Sequence, residues 1–360
     1  MGKKSHKFIY VFIGIFIGII ICLAGEKAWI KFKDFSYEKN FSYVDSGVEK
    51  GLKALNIPVI KKEIKREGFL FQHKKVEEVL KIPLDYPLDK LPSQINKELS
   101  QNGIEVYKIN ENNLKDEYQI LVNLGFKGKI THILRFILKK AKIALIIDDF
   151  GYSQGSTVDS FLKDIKAPFT IAIIPGTPYV NPIAKEAHKK GKEVMVHLPM
   201  QPKGKFKNSY KWIILEKMED KEIEDIVNKA IEDVPYAVGL NNHMGSLITT
   251  QKKPMGAILK VVKRKSLYFL DSKTDTHSIA LALAKEMGVK STKREIFLDN
   301  EKDKDYIKKQ IEKLIFIAEK KGEAVGTAHI NPVTSQAIKE SLSKLNNKKT
   351  QLVYASEVAN

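Results

Sequence analysis

Residues 143–151 read IALIIDDFG, five aliphatic residues followed by two adjacent carboxylates and a glycine. A short apolar run of this kind is the signature of a strand buried on both faces. Working outward, six more segments have the same character: 169–174, 193–196, 237–240, 268–270, 295–298 and 324–327. Runs with helical spacing separate them at 157–165, 182–190, 221–232, 254–265, 278–287 and 305–321, and another follows at 335–345. Strand followed by helix, seven times over, implies parallel strands joined by crossovers, and hence an α/β fold. A distorted (β/α)7 barrel is the expected architecture, although an open doubly wound sheet produces the same alternation.

The polar residues favour the barrel, because they fall where such folds build their sites. Asp148 and Asp149 follow the first strand, His197 the third, and Asn241, Asn242 and His243 the fourth. Asp271 follows the fifth, Asp299 ends the sixth, and His329 follows the seventh. These are all C-terminal strand ends, which would ring one cleft. Each alone has a plain reading, since Asp caps helices and Asn fills turns. One Asp with two His is a three-ligand set for a catalytic divalent metal, so Asp149, His197 and His243 are the ligand candidates. A metal there would acidify bound water; Asp148 could take its proton and His329 could protonate the leaving group.

The supporting candidates are Asn241, Asn242, Ser246, Asp271, Arg294 and Asp299. The asparagines would bind substrate, hold His243 or simply form a turn. Asp271 would orient a ligand histidine or cap a helix through Ser272 or Asp275, and Arg294 would pair with Asp299 at the barrel mouth. Tyr179 and Tyr210 lie in loops after the second and third strands, where they would stack on a substrate ring.

The motifs IALIIDDFG, EVMVHLPMQP, GLNNHMGS, FLDSKT, REIFLD and AHINPVT, in this order, resemble the divergent polysaccharide deacetylase family, a distant branch of the NodB-homology carbohydrate esterases. The resemblance covers roughly 60% of the chain, from residue 142 to 353. It implies a NodB-like distorted (β/α)7 barrel and a metal-dependent site, with zinc the expected ion, that removes N- or O-acetyl groups from a glycan. By it, Asp148 matches the catalytic base, Asp149 the metal-binding Asp, His197 the first metal-binding His and His329 the late acid histidine. Ordinary NodB-type enzymes carry a second metal-binding His four residues after the first. Gln201 stands there, so the third protein ligand must come from elsewhere, with His243 the economical substitute. The arginine that commonly orients the base has no obvious counterpart in GLNNHMGS.

The expected domains are a membrane anchor at 1–25, a small α+β module of unknown role at 26–140 and the barrel at 141–360. Residues 8–24 form an uncharged apolar run behind Lys3, Lys4 and Lys7, so a single-pass transmembrane helix is expected, with its N-terminus in the cytoplasm and the barrel in the periplasm or on the extracellular face. A cleaved signal peptide is the other reading of that run. The single cysteine, Cys22, excludes intramolecular disulfides and Cys-rich zinc sites.

A net charge of +18 raises the question of nucleic acid. The lysines fall as pairs on helix faces among acidic residues, and no zinc-finger, RRM or KH signature is present, so nucleic acid is not an expected partner. Acetylated polysaccharide or peptidoglycan is the expected substrate, with a cell-wall enzyme as a further partner. A non-catalytic envelope module that keeps the fold and binds glycan or protein is the alternative function.

Overall fold

The computed structural model describes residues 5–67, 73–100 and 104–360; the side chains of residues 5–18 and 32 lie outside the description. The chain divides into two compact units, residues 1–139 and 140–360.

In the first unit, helix α1 (Ser5–Leu55) is followed by β1 (Val59–Glu67), β2 (His73–Lys81), α2 (Leu91–Leu99), β3 (Glu105–Asn113), β4 (Glu117–Phe126) and β5 (Lys129–Lys139). The strands form one sheet in the order β1-β2-β5-β4-β3, antiparallel except for the β2–β5 pair. Its core joins Val44, Val48, Leu52 and Leu55 of α1 to Leu91, Ile95 and Leu99, the i, i+4, i+8 stripe of α2. The stretch FLFQH at 69–73 reads from the sequence as a strand, and all of it but His73 lies outside the described residues.

The expected membrane span is overturned. Residues 8–24 begin a helix that runs on through Glu26, Lys27, Lys31, Lys33 and Asp34. Among the described residues, no helix is long and apolar enough to cross a membrane. The single-pass topology, with the second unit on the far side, therefore falls as well.

The second unit alternates strands and helices: β6 (Ala141–Phe150), α3 (Ser156–Asp159), β7 (Thr170–Ile173), α4 (Val180–Lys189), β8 (Glu193–Met200), α5 (Asp220–Asp233), β9 (Ala237–Met244), α6 (Lys252–Arg264), β10 (Tyr268–Asp271), α7 (Ala280–Glu286), β11 (Ser291–Lys293), β12 (Ile296–Phe297), α8 (Lys304–Lys321), β13 (Glu323–His329), α9 (Pro332–Leu345) and β14 (Thr350–Val353). A π-helical turn, Ser160–Asp164, continues α3. The strands form one parallel sheet in the order β11-β10-β9-β8-β7-β6-β13-β12, with β14 also on β6.

The strand path does not close as a (β/α)7 barrel would: β11 and β12 are its two ends, and no ladder joins them among the described residues. One side of β6 pairs along its length with β13. The other is shared, with residues 141–144 taking β14 and residues 146–150 taking the four-residue β7. The site-bearing strands also run further than their apolar segments. His197 pairs with Asn241, Pro199 with His243 and Asp148 with His329, all as rungs of the sheet itself. Ladder hydrogen bonds, not loop conformation, therefore set where these polar side chains begin.

Candidate metal centre

Successive residues of a strand point to opposite faces, so Asp148 and Asp149 reach one site only if the backbone departs from regular pleating. The register of β6 against β7 jumps between Ile147 and Phe150, and Asp149 adopts a φ of +66°. Asp is among the few residues that tolerate this left-handed conformation. The bulge places the carboxylates on either side of one buried imidazole: Asp149 Oδ1 lies 3.3 Å from His197 Nε2, and Asp148 Oδ1 lies 3.7 Å from His197 Nδ1. Gly151, next in the motif, has a φ of +121°, and a Cβ there would sit 2.1 Å from Thr177 Oγ1.

His243 completes a triangle. Its Nδ1 is 3.1 Å from Asp149 Oδ1 and 3.0 Å from His197 Nε2. The triad donors converge within 4.8 Å of one another. Asp149 Oδ1 is buried and has no hydrogen-bond partner. A buried carboxylate oxygen left unpaired among two inward-facing ring nitrogens is the environment a cation would satisfy. Ligands on a tetrahedral zinc ion lie about 3.3–3.4 Å apart, given zinc–ligand bonds of about 2.0–2.1 Å, so the spacing fits this group.

The charges are strongly coupled. Burial opposes the charged form of His197, but Asp148 and Asp149 outweigh it and carry its pKa up to about 9. Asp149, although desolvated, is held well below the usual carboxylate range by the two histidines. His243 is pushed down, first by burial, with the charge on His197 adding to the effect. A divalent cation held by these residues would compete with the proton for His197.

Asn241 is the hub behind the triad. Its Oδ1 accepts from His197 Nδ1 at 2.7 Å and its Nδ2 donates to Asp148 Oδ1 at 2.9 Å. That contact leaves His197 Nε2 to face the centre and fixes Asp148 beside it. His329 stands opposite, with Nε2 3.9 Å from Asp149 Oδ2 and Nδ1 3.3 Å from Asp299 Oδ1. Asp299 is itself held by the His329 amide at 2.9 Å and the Thr334 hydroxyl at 2.8 Å. The hydrogen bond to Asp299 raises the His329 pKa against the effect of burial. At 43% side-chain exposure, His329 is open to an incoming substrate.

Several expected roles are corrected. Arg294 does not pair with Asp299: it donates to the carbonyls of Ser272 and Lys273 at 2.7 and 2.9 Å and lies over the Phe297 ring, while Asp299 serves His329. Arg294 does feel the charges of Asp148 and Asp271, so a guanidinium acts on Asp148 from outside the GLNNHMGS segment. Asp271 orients no histidine; it accepts from the Lys273 amide and the Ser278 hydroxyl at 2.8 and 2.7 Å. Asn242 braces the turn, accepting from the Ser272 amide at 2.9 Å and donating to the Met244 carbonyl at 2.7 Å. Ser246 accepts the Lys203 amide at 2.9 Å, in the loop and away from the triad. Tyr210 hydrogen-bonds His243 Nε2 at 2.8 Å, a contact that no spacing in the sequence announces.

Residues 145–359 match the family described as divergent polysaccharide deacetylase. The chain belongs to that family. This divergent polysaccharide deacetylase is 35% identical over 219 residues to the uncharacterized protein YibQ of Escherichia coli (strain K12), covering 61% of this chain and 67% of YibQ. It is 34% identical over 210 residues to an uncharacterized protein of Haemophilus influenzae, covering 58% of this chain and 74% of that one. The crystal structure of uncharacterized protein ATU2773 from Agrobacterium tumefaciens C58 superposes with a TM-score of 0.58 at 19% identity, covering 61% of this chain and 89% of that one, a likeness of fold.

Proposed function

We propose that this divergent polysaccharide deacetylase hydrolyses N- or O-acetyl groups on an acetylated polysaccharide such as peptidoglycan, with a divalent ion, zinc, held by Asp149, His197 and His243. The observation that carries this reading is the convergence of three donor atoms on one point, flanked by a carboxylate and a histidine that are not needed to hold the ion. Bound there, zinc would polarise the acetyl carbonyl and acidify a water molecule.

The chain's own residues supply the proton traffic. Asp148, fixed by Asn241, accepts a proton from water as its oxygen bonds to the acetyl carbon. His329, whose pKa the hydrogen bond to Asp299 raises, donates to the sugar nitrogen or oxygen as the bond to the acetyl carbon breaks. The products are acetate and the free amine or hydroxyl.

The test is acetate release from acetylated chito-oligosaccharides and peptidoglycan by the zinc-loaded chain. Asp148→Asn should retain zinc and lose roughly 10²–10⁴ in kcat. Zinc binding without turnover of any acetylated glycan would instead support a glycan- or protein-binding module that has kept the fold. If no divalent ion binds under replete conditions, the metal reading fails.

A further inference from the structure

The loop after β8 is closed at its neck and brings one side chain back to the triad. Met200 bridges to Ile214; the Gln201 amide donates to the Ile214 carbonyl and the Ile214 amide to the Pro199 carbonyl, both at 2.9 Å. Gln201 fastens this neck twice more. Its side-chain oxygen accepts from the Glu216 amide at 2.9 Å, and its carbonyl accepts from the amides of Leu247 and Ile248 at 3.3 and 3.4 Å. The side chain that stands where a ligand histidine would be expected is thus committed to holding a loop.

Tyr210 lies on that loop. Its hydroxyl is 2.8 Å from His243 Nε2, with the two rings edge to face at 5.2 Å. His243 faces Asp149 and His197 with its other nitrogen, Nδ1. An imidazole that gives Nδ1 to a cation must carry its proton on Nε2, and that N–H needs an acceptor to fix the tautomer and the ring plane. Among the described residues, the Tyr210 oxygen is the acceptor that hydrogen-bonds this nitrogen. The Tyr152 hydroxyl lies against that of Tyr210, while Tyr152 itself is 52% exposed.

We propose that Tyr210 is a positioning residue for the ligand His243, carried by a loop that Gln201 fastens, so that the glutamine at 201 and the tyrosine at 210 belong to one rearrangement of the metal's outer shell. The inference rests on Asp149, His197 and His243 being the ligands.

Zinc affinity of the full chain, measured by competition with a chromogenic chelator, tests it. Tyr210→Phe should raise the zinc Kd about ten- to a hundredfold and shift the absorption of the cobalt-substituted protein, with metal-free unfolding unchanged. Gln201→Ala should weaken zinc binding in the same direction by loosening the loop. Tyr210→Gln, which restores an acceptor, should recover part of the affinity, and Tyr179→Phe should leave it unaltered. Wild-type zinc affinity together with an unshifted cobalt spectrum in Tyr210→Phe would overturn the proposal while leaving the ligand set standing. Failure of the unsubstituted chain to bind either ion would sink the ligand set itself, and this inference with it.

Discussion

Asp149 shows how a single backbone angle makes the site. Without its φ of +66°, the two carboxylates of the DD pair would face opposite sides of the sheet and only one could approach His197. Gly151, two residues on, allows the turn, so Gly151→Ala should destabilise the fold by about 1–3 kcal/mol, measured by urea unfolding, because it adds both an unfavourable φ and a collision with Thr177. Asn241→Leu, close in size but with no polar atoms, should raise the zinc Kd about tenfold or more and, at saturating zinc, lower kcat at least tenfold, since Asp148 and His197 both lose the partner that orients them. Unchanged zinc affinity together with unchanged kcat would contradict that account. At this scale the residue types were legible and their partners were not. Asp, His and Asn at strand ends announce metal and proton chemistry. That Asp299 serves His329 rather than Arg294, or that Tyr210 reaches His243, depends on cross-chain distances that no spacing encodes.

At the scale of elements, apolar periodicity marked seven strands of the second unit because most of those segments are buried on both faces. It missed β11 and β14, whose few residues lie close to helices, and β1, whose VIKKEIKRE alternates without an apolar face. The polar ends of β6, β8 and β9 lie beyond the apolar segments that mark those strands, although the ladder continues through them. Lys192, between α4 and β8, is an unannounced device of this scale. Its buried ammonium donates to the carbonyls of Ile165 and Ala167 at 2.6 and 2.8 Å, tying down the segment before β7. Burial, with Lys166 adding, lowers its pKa to about 8. The unfolded chain therefore binds more protons than the folded one between pH of about 8 and the ordinary lysine value near 10.4, so this lysine favours folding increasingly as pH rises through that window. Thermal melts of wild type and Lys192→Met should show the wild-type Tm gaining on the variant between pH 7 and pH 10; a constant gap would refute this.

At the scale of the whole molecule, the chain is two units with separate cores. Calorimetry of the full chain should accordingly show two transitions, of which zinc raises only one, by about 2.7 kcal/mol at a hundred times Kd. Movement of both transitions would mean that the units unfold as one. The alternation of strands and helices made the parallel architecture legible. Closure was not legible, because it depends on whether the edge strands β11 and β12 find one another, and local pattern carries no information on that pairing.

The shared side of β6 has a consequence for how the protein is made. The strand that bears both carboxylates is translated early and its neighbour β7 soon after, yet its other two neighbours span residues 323–329 and 350–353. While the ribosome is still adding those residues, β6 has β7 on part of one side and nothing along the other. The first unit pairs all its strands before residue 140 and is free to settle while synthesis continues. The second unit must wait for nearly its whole length to emerge, so it is the half most dependent on protection of a nascent apolar strand.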